Sequence, residues 1–260
     1  DGIMNVSGVE GDSPLRELAA VGGTPVANNP KRHFKVPENS GLFLKYLRLT
    51  GGKVVTTSTG DHIAALHYNS GGSIQVWGPN AYLNVHTVIF ACCGASITCS
   101  YKGGAVAAIN DATVDILDST FSSCNAAMNG GAIDVYGAID WWSRQTSTRL
   151  NTGNISPITL TGTRFENNAA LGYNGGAINL WDGASLTFRG GNNTFIENSG
   201  NPDKNGVDYS RSAIHIYSNR NTIAFDICPP STFAEIIDAN TDNNLNNFAG
   251  CPLSCPAGKT

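Results

Sequence analysis

One short motif and its partner, repeated along the chain, limit what this sequence can fold into more than anything else in it. Gly103-Gly104-Ala105-Val106, Gly130-Gly131-Ala132-Ile133 and Gly175-Gly176-Ala177-Ile178 are near-copies. Gly71-Gly72-Ser73-Ile74 is a weaker copy before them, and Ser212-Ala213-Ile214 is a decayed one after them. A second motif follows each of the first four: Phe90-x-x-Cys93, Phe121-x-x-Cys124, Phe165-x-x-Asn168 and Phe195-x-x-Asn198. From the apolar residue of the first motif to the Phe of the second, the separation is 16, 15 and 17 residues in three copies. It is 32 in the copy at Ile133, which therefore carries an insertion, roughly residues 138–156, containing Trp141-Trp142.

Within a copy, apolar and polar residues alternate, as in Ile178-Asn179-Leu180-Trp181 and Leu186-Thr187-Phe188. Period two marks strands with one buried face. A unit of about 30 residues with two or three short strands cannot bury its own apolar face, so successive units must stack. The expected fold is all-β: a right-handed, single-stranded parallel β-helix, with glycine pairs at tight corners and Asn side chains laddered from turn to turn. A β-propeller requires blades of about 40 residues with four antiparallel strands each. These units are too short, and their Asn-Gly pairs at 129–130 and 174–175 are too few for hairpins.

Composition agrees. The 260 residues include 30 Gly, 28 Asn and 21 Thr, which favour turns and strands over helix interiors. Acidic residues outnumber basic ones 20 to 16, with no block of like charge. A nucleic-acid or anionic-membrane partner, which demands a concentrated basic patch, is not expected. Apolar runs such as Val88 to Cys93 fall far short of the roughly 18 residues of a spanning helix, so no membrane insertion is expected. Seven Cys, together with Asn-x-Ser/Thr sequons at Asn5, Asn154 and Asn192, point to a secreted or cell-surface protein.

The paired motifs resemble the repeats of the polymorphic outer-membrane protein family, over about residues 71 to 233. Cys in place of Asn at 93 and 124, and loss of the Gly pair near Ser212, are departures from that pattern. The resemblance implies a right-handed β-helix used as a surface, adhesive or structural passenger, with architectural motifs and no catalytic site. Leu42 to Thr50 reads as an early strand of the same stack. Residues 1–35 read as an irregular N-terminal cap, apart from a short helix at Pro14 to Ala20; the β-helix runs over 36–238. Residues 239–260 form a Cys-containing tail, whose Cys255-Pro-Ala-Gly-Lys-Thr resembles the opening of an ephrin-receptor-like Cys-rich module and implies a longer protein.

Stacking places Cys93 and Cys124 in one column, one turn apart. Neighbouring strands about 4.8 Å apart suit the Cα separation of roughly 4.4–6.8 Å in a disulfide. Cys92 with Cys99 and Cys228 with Cys251 are further candidate pairs, leaving Cys255 over. No metal site, cofactor or nucleophilic constellation is expected. Right-handed β-helices are also used by polysaccharide lyases and hydrolases, so Asp111, Asp115, Asp118, Asp134, Asp140, Glu166 and Asp182 are the acids an enzyme would draw on. No basic residue stands in register with them, and they read as solvated.

Aligning the first-motif strands yields two outward columns. One holds Gln75, Ala107, Asp134, Asn179 and His215; the other holds Trp77, Ile109, Tyr136, Trp181 and Tyr217. Exposed rings in a row suit sugar faces or an apolar partner. Trp77, Tyr136, Trp181 and Tyr217, with Asp134, Asn179 and His215, are therefore the candidate binding strip, unless the 138–156 insertion covers them. The expected function is a non-enzymatic structural or adhesive segment of a larger surface or filament protein. Its partners would be other extracellular structural proteins, copies of itself or glycans. The alternatives are a carbohydrate-active enzyme on the same fold and a carbohydrate-binding module without catalysis.

Overall fold

A computed structural model of the chain describes residues 3–7, 16–19, 32–54, 70–91, 100–137, 155–173, 175–181, 183–190, 193–200, 213–217, 221–225, 237–239 and 248–249. Among these residues the protein is all-β, with no helix, and every strand pairing is parallel. Parallel pairing follows from the repeat, because each strand meets its counterpart in the next copy. The strands form three sheets. The first has seven: Phe34–Val36, Ile74–Trp77, Val106–Ile109, Ile133–Tyr136, Ile178–Leu180, Ile214–Ile216 and Ile237–Ala239, in that spatial order. The second has twelve, built on the long strands Gly41–Thr50 and Tyr82–Ala91 and continued by two rows of shorter ones. The third has Asn125–Ala126, Ala169–Ala170 and Ser199–Gly200.

The segment read as an irregular cap carries two short strands. Ile3–Ser7 and Arg16–Ala19 both pair with Gly41–Thr50, one against each half of it. The helix expected at Pro14 to Ala20 is thus corrected to a strand: one helical turn satisfies few of its own backbone groups, whereas a free parallel edge offers a partner at every second residue. At the end of the insertion, Ser156 opens a strand in register with Ala184.

Turns between sheets recur at matched positions. Tyr46, Thr87, Asp118, Gly162 and Gly190 all have left-handed φ of 47–68°. Strand register aligns them from copy to copy. The bend at Tyr46 also explains a phase slip: Leu42, Leu44, Leu47 and Leu49 are all buried, which strict alternation forbids. The first glycine of each pair forms another such column, at φ 60–74° for Gly71, Gly103, Gly130 and Gly175. The second is required by close approach. A Cβ on Gly104 would lie 2.0 Å from the Gly131 carbonyl oxygen, and one on Gly131 would lie 2.0 Å from that of Gly176.

The inward residues of the two larger sheets share one hydrophobic core. The buried Phe90, Phe121 and Phe165 and the partly buried Phe195 stack in one line, with centroids 4.5, 4.9 and 4.9 Å apart and planes within 5°. The Asn ladder is equally regular. Asn168 Oδ1 accepts from the Cys124 backbone N–H at 2.9 Å, while its Nδ2 donates to the Phe121 carbonyl at 3.0 Å. Asn198 repeats both contacts one copy further on, to the Asn168 N–H and the Phe165 carbonyl. Asn221 does the same elsewhere, accepting from Ala184 N–H and donating to the Leu180 carbonyl, both at 2.9 Å. Each Asn thereby satisfies one donor and one acceptor that the turn leaves outside the sheet ladders.

Candidate functional site

The seven-stranded sheet positions the candidate strip. Register aligns Gln75, Ala107, Asp134, Asn179 and His215 as expected, with Lys35 and Asp238 at the two ends of the column. Trp77, Ile109 and Tyr136 align two residues further along. Trp181 and Tyr217 continue that row as stacked rings: Tyr136 to Trp181 at 5.4 Å, then Trp181 to Tyr217 at 3.6 Å and 8°.

The polar column is buried and the aromatic row is only partly open to solvent, so the expectation of two solvent-facing columns is corrected. Asp134 and Asn179 are 0% exposed, His215 2% and Tyr136 4%. Ala107, Ile109 and Tyr136 make a second small apolar cluster, with Trp77 and Trp181 packed on it. Trp77 and Trp181 are partly buried, and Tyr217, at the end of the stack, is 42% exposed. Within the aromatic row, Ile109 stands between Trp77 and Tyr136, and Trp181 stacks between Tyr136 and Tyr217; burying these apolar faces against one another is favourable.

Sequence reasoning missed Lys102. It sits just before the Gly103-Gly104 corner, and its side chain reaches under the aromatic stack. Its Nζ lies 4.5 Å from the Tyr136 ring centroid and 4.6 Å from that of Trp181. It also donates to the Tyr136 hydroxyl. The available signal was a lone cation beside a repeat glycine pair, a position that is Asn in the copies at 129 and 174.

Beside this cation the polar column forms a chain of hydrogen bonds. Asn179 Nδ2 donates to Asp134 Oδ1 at 2.7 Å. His215 Nδ1 lies 2.7 Å from Asn179 Oδ1, which as a carbonyl oxygen must accept, so the ring carries its proton on Nδ1. Asp134 Oδ2 and His215 Nε2 are buried with no hydrogen-bond partner among the described residues. Burial pushes the Asp134 carboxyl up to about 6, with Lys102 and the Asn179 hydrogen bond opposing. Burial lowers the Lys102 ammonium from its usual value, with Asp134 opposing, and lowers His215 to about 4. At the other end of the column, Arg32 Nη1 donates to Gln75 Oε1 at 2.8 Å.

Among the described residues, the other acids do not join this group. Asp115 lies on the twelve-stranded sheet, where it accepts from the Tyr82 hydroxyl at 2.8 Å. Glu166, on that same sheet, pairs with Arg164 at 2.8 Å. Asp111 and Asp118 occupy left-handed turn positions. Asp140 and Asp182 lie outside the described residues, as do Asn154, Asn192, Cys92, Cys93, Cys99, Cys228, Cys251 and Cys255. Asn5 lies on the strand Ile3–Ser7. Cys124 is disulfide-bonded. No cluster of three or more His, Cys, Asp or Glu suited to a metal ion occurs among the described residues. The chain matches no protein-family model, no curated protein and no solved structure.

Proposed function

We propose that this chain is a stretch of right-handed, single-stranded parallel β-helix serving a structural or adhesive role in a larger secreted or cell-surface protein. One observation carries the reading: the side chains at repeated positions are spent on contacts between copies. The Phe column, the Asn ladder and the buried aromatic row all join one repeat to the next. Uniformly parallel pairing between strands of successive copies, around a core shared by two of the three sheets, supports the helical path. The bonded Cys124 supports an oxidising compartment. The resemblance to the polymorphic outer-membrane protein repeats supports a surface role, with other extracellular structural proteins or further copies of the chain as partners.

The test is a depolymerisation screen of the purified chain against uronate polymers and neutral glycans, with and without calcium. No turnover is expected, because the most perturbed acid, Asp134, is sealed from substrate. Reproducible chain cleavage would replace this reading with a carbohydrate-active enzyme. One feature favours glycan binding as a second reading. The exposed Tyr217 ring stacked on Trp181 offers an apolar face to a sugar ring. Loss of glycan-array signal in Tyr217→Ala is the outcome expected of that reading.

A further inference from the structure

At the N-terminal end of the stack, the seven-stranded sheet stops one strand short of the twelve-stranded one. Phe34–Val36 and Gly41–Thr50 follow one another in the chain and pair with Ile74–Trp77 and Tyr82–Ala91, one turn further on. Beyond Gly41–Thr50 lie two more strands, Ile3–Ser7 and Arg16–Ala19. Beyond Phe34–Val36 no described strand lies. The sheets thus end in a step one strand high, about 4.8 Å. Exposure on both sides of the step matches it. Met4 holds the inward column of Leu42 and Leu83, which are fully buried, yet is itself 54% exposed. Phe34 holds the inward column of Ile74 and Val106, also fully buried, and is only partly buried. Inward residues of the two sheets share one core, so Met4 and Phe34 flank the same end of it.

The edge is also basic. Phe34 N–H donates to the Ser73 carbonyl at 3.0 Å, into the sheet. In a parallel ladder one residue bonds one neighbouring strand and the next residue bonds the other, so the Lys35 N–H and C=O point along the open edge. The Lys35 side chain is exposed, on the outward face beside Gln75. Arg32 Nη1 reaches Gln75 Oε1 at 2.8 Å and brings a second cation to this end. An unpaired backbone edge is a template for an added strand. We propose that this edge takes an extended segment of a different protein, added parallel to Phe34–Val36, with an acidic residue between two apolar ones. The apolar residues cover Phe34 and Met4, and the acid stands one strand from Lys35, about 4.8 Å away. Main-chain hydrogen bonds and apolar burial supply the strength, and the charge selects the partner. Ile237–Ala239 of a second copy carries the same pattern. In that register, however, its Phe248–Ala249 falls where Ile3–Ser7 already lies, so a second copy does not fit.

The inference rests on the structural reading above and deepens it by naming a partner's chemistry. In its test, a fluorescein-labelled peptide, Ser-Thr-Ile-Asp-Val-Thr-Ser, is titrated into the full chain and followed by anisotropy. Saturable binding is expected, with the Asp→Lys peptide weaker by at least about tenfold. Bound peptide should also slow peroxide oxidation of Met4, with Met128, the other methionine, as internal control. N-methylation at one alternate set of peptide nitrogens should abolish binding, and at the other set should leave it unchanged. Lys35→Glu, at an exposed position, should reverse the preference between the two peptides. Absence of saturable binding, equal binding of the two peptides, or unchanged Met4 oxidation overturns the proposal. So does self-association of the chain that excludes the peptide, which makes a second copy the occupant. The wild-type titrations decide the question even if Lys35→Glu misfolds. Absence of binding in a chain that cleaves no glycan overturns this inference and leaves the structural reading standing.

Discussion

Replacing Phe165 by alanine removes the ring at the centre of the Phe column. Phe165 is fully buried, with Phe121 4.9 Å on one side and Phe195 4.9 Å on the other, both stacked nearly parallel to it. Neither neighbour can close the gap, because strand register holds each at its own height. The loss should therefore sit toward the upper part of the range for Phe→Ala in cores, about 4 kcal/mol. Phe195 is the internal control. It is only partly buried and has one stacked column neighbour among the described residues, so Phe195→Ala should cost less, about 2 kcal/mol. Urea unfolding followed by circular dichroism measures both, read as a fall in midpoint at constant slope. A fall in slope for Phe165→Ala would mean that the stack separates at that copy, as nearest-neighbour repeat arrays do. Equal costs for the two variants, or less than about 1 kcal/mol for Phe165→Ala, would refute the argument that the column is a continuous close-packed element.

Asn168→Leu leaves the Cys124 N–H and the Phe121 carbonyl without their side-chain partner, and should cost about 3 kcal/mol. Hydrogen exchange at the Cys124 amide should accelerate in step. Thr87 is β-branched at φ 52°, in a column where later copies use glycine. Thr87→Gly should therefore raise the midpoint by an amount equivalent to about 1 kcal/mol. Gly104→Ala drives a methyl into the Gly131 carbonyl and should abolish soluble expression. Trp181→Ala uncovers the Lys102 ammonium and should destabilise the fold measurably by thermal unfolding, instead of acting on binding alone.

The repeat was legible because two motifs fix the phase of every copy. Aligning Gly-Gly-Ala-Ile and Phe-x-x-Asn gave the register Ile74, Val106, Ile133, Ile178 and Ile214, which the strand pairing reproduces. Side-chain direction was legible too, since period two assigns faces. What alternation does not report is whether an outward face is wet. The face of Asp134 and Tyr136 is closed in part by Lys102, which belongs to no strand and stands outside the aligned pattern. The same limit hid the strand at Arg16–Ala19. Its partner is an edge supplied by Gly41–Thr50, and nothing local in four residues announces it. The slip at Tyr46 was invisible for another reason: a left-handed turn at a tyrosine leaves no glycine to mark it.

The buried column makes one more demand, on pH. His215 is neutral in the folded protein down to about 4, whereas an unfolded histidine titrates near 6.5. Above pH 6.5 neither state binds the proton, and stability is unaffected. As pH falls from 6.5 toward 4, only the unfolded state gains it, and stability is lost, by about 3 kcal/mol in all. Asp134 has the opposite sign. Its folded value of about 6 lies above the unfolded 3.8, so its contribution is fully present below pH 3.8 and disappears as pH rises through 6. Lys102 faces Asp134 from the glycine corner, Asn179 bridges the two titrating groups, and Asp238 holds the next register position beyond His215. The two terms nearly cancel between pH 4 and 6, and the stability profile is flat there. His215→Gln removes that term while keeping a donor for Asn179 Oδ1. Urea midpoints of wild type and His215→Gln, compared at pH 7.5 and pH 4, should therefore diverge by about 3 kcal/mol on acidification. Parallel profiles for the two proteins would show that His215 takes up its proton freely in the folded state, and the sealed polar column would have to be abandoned.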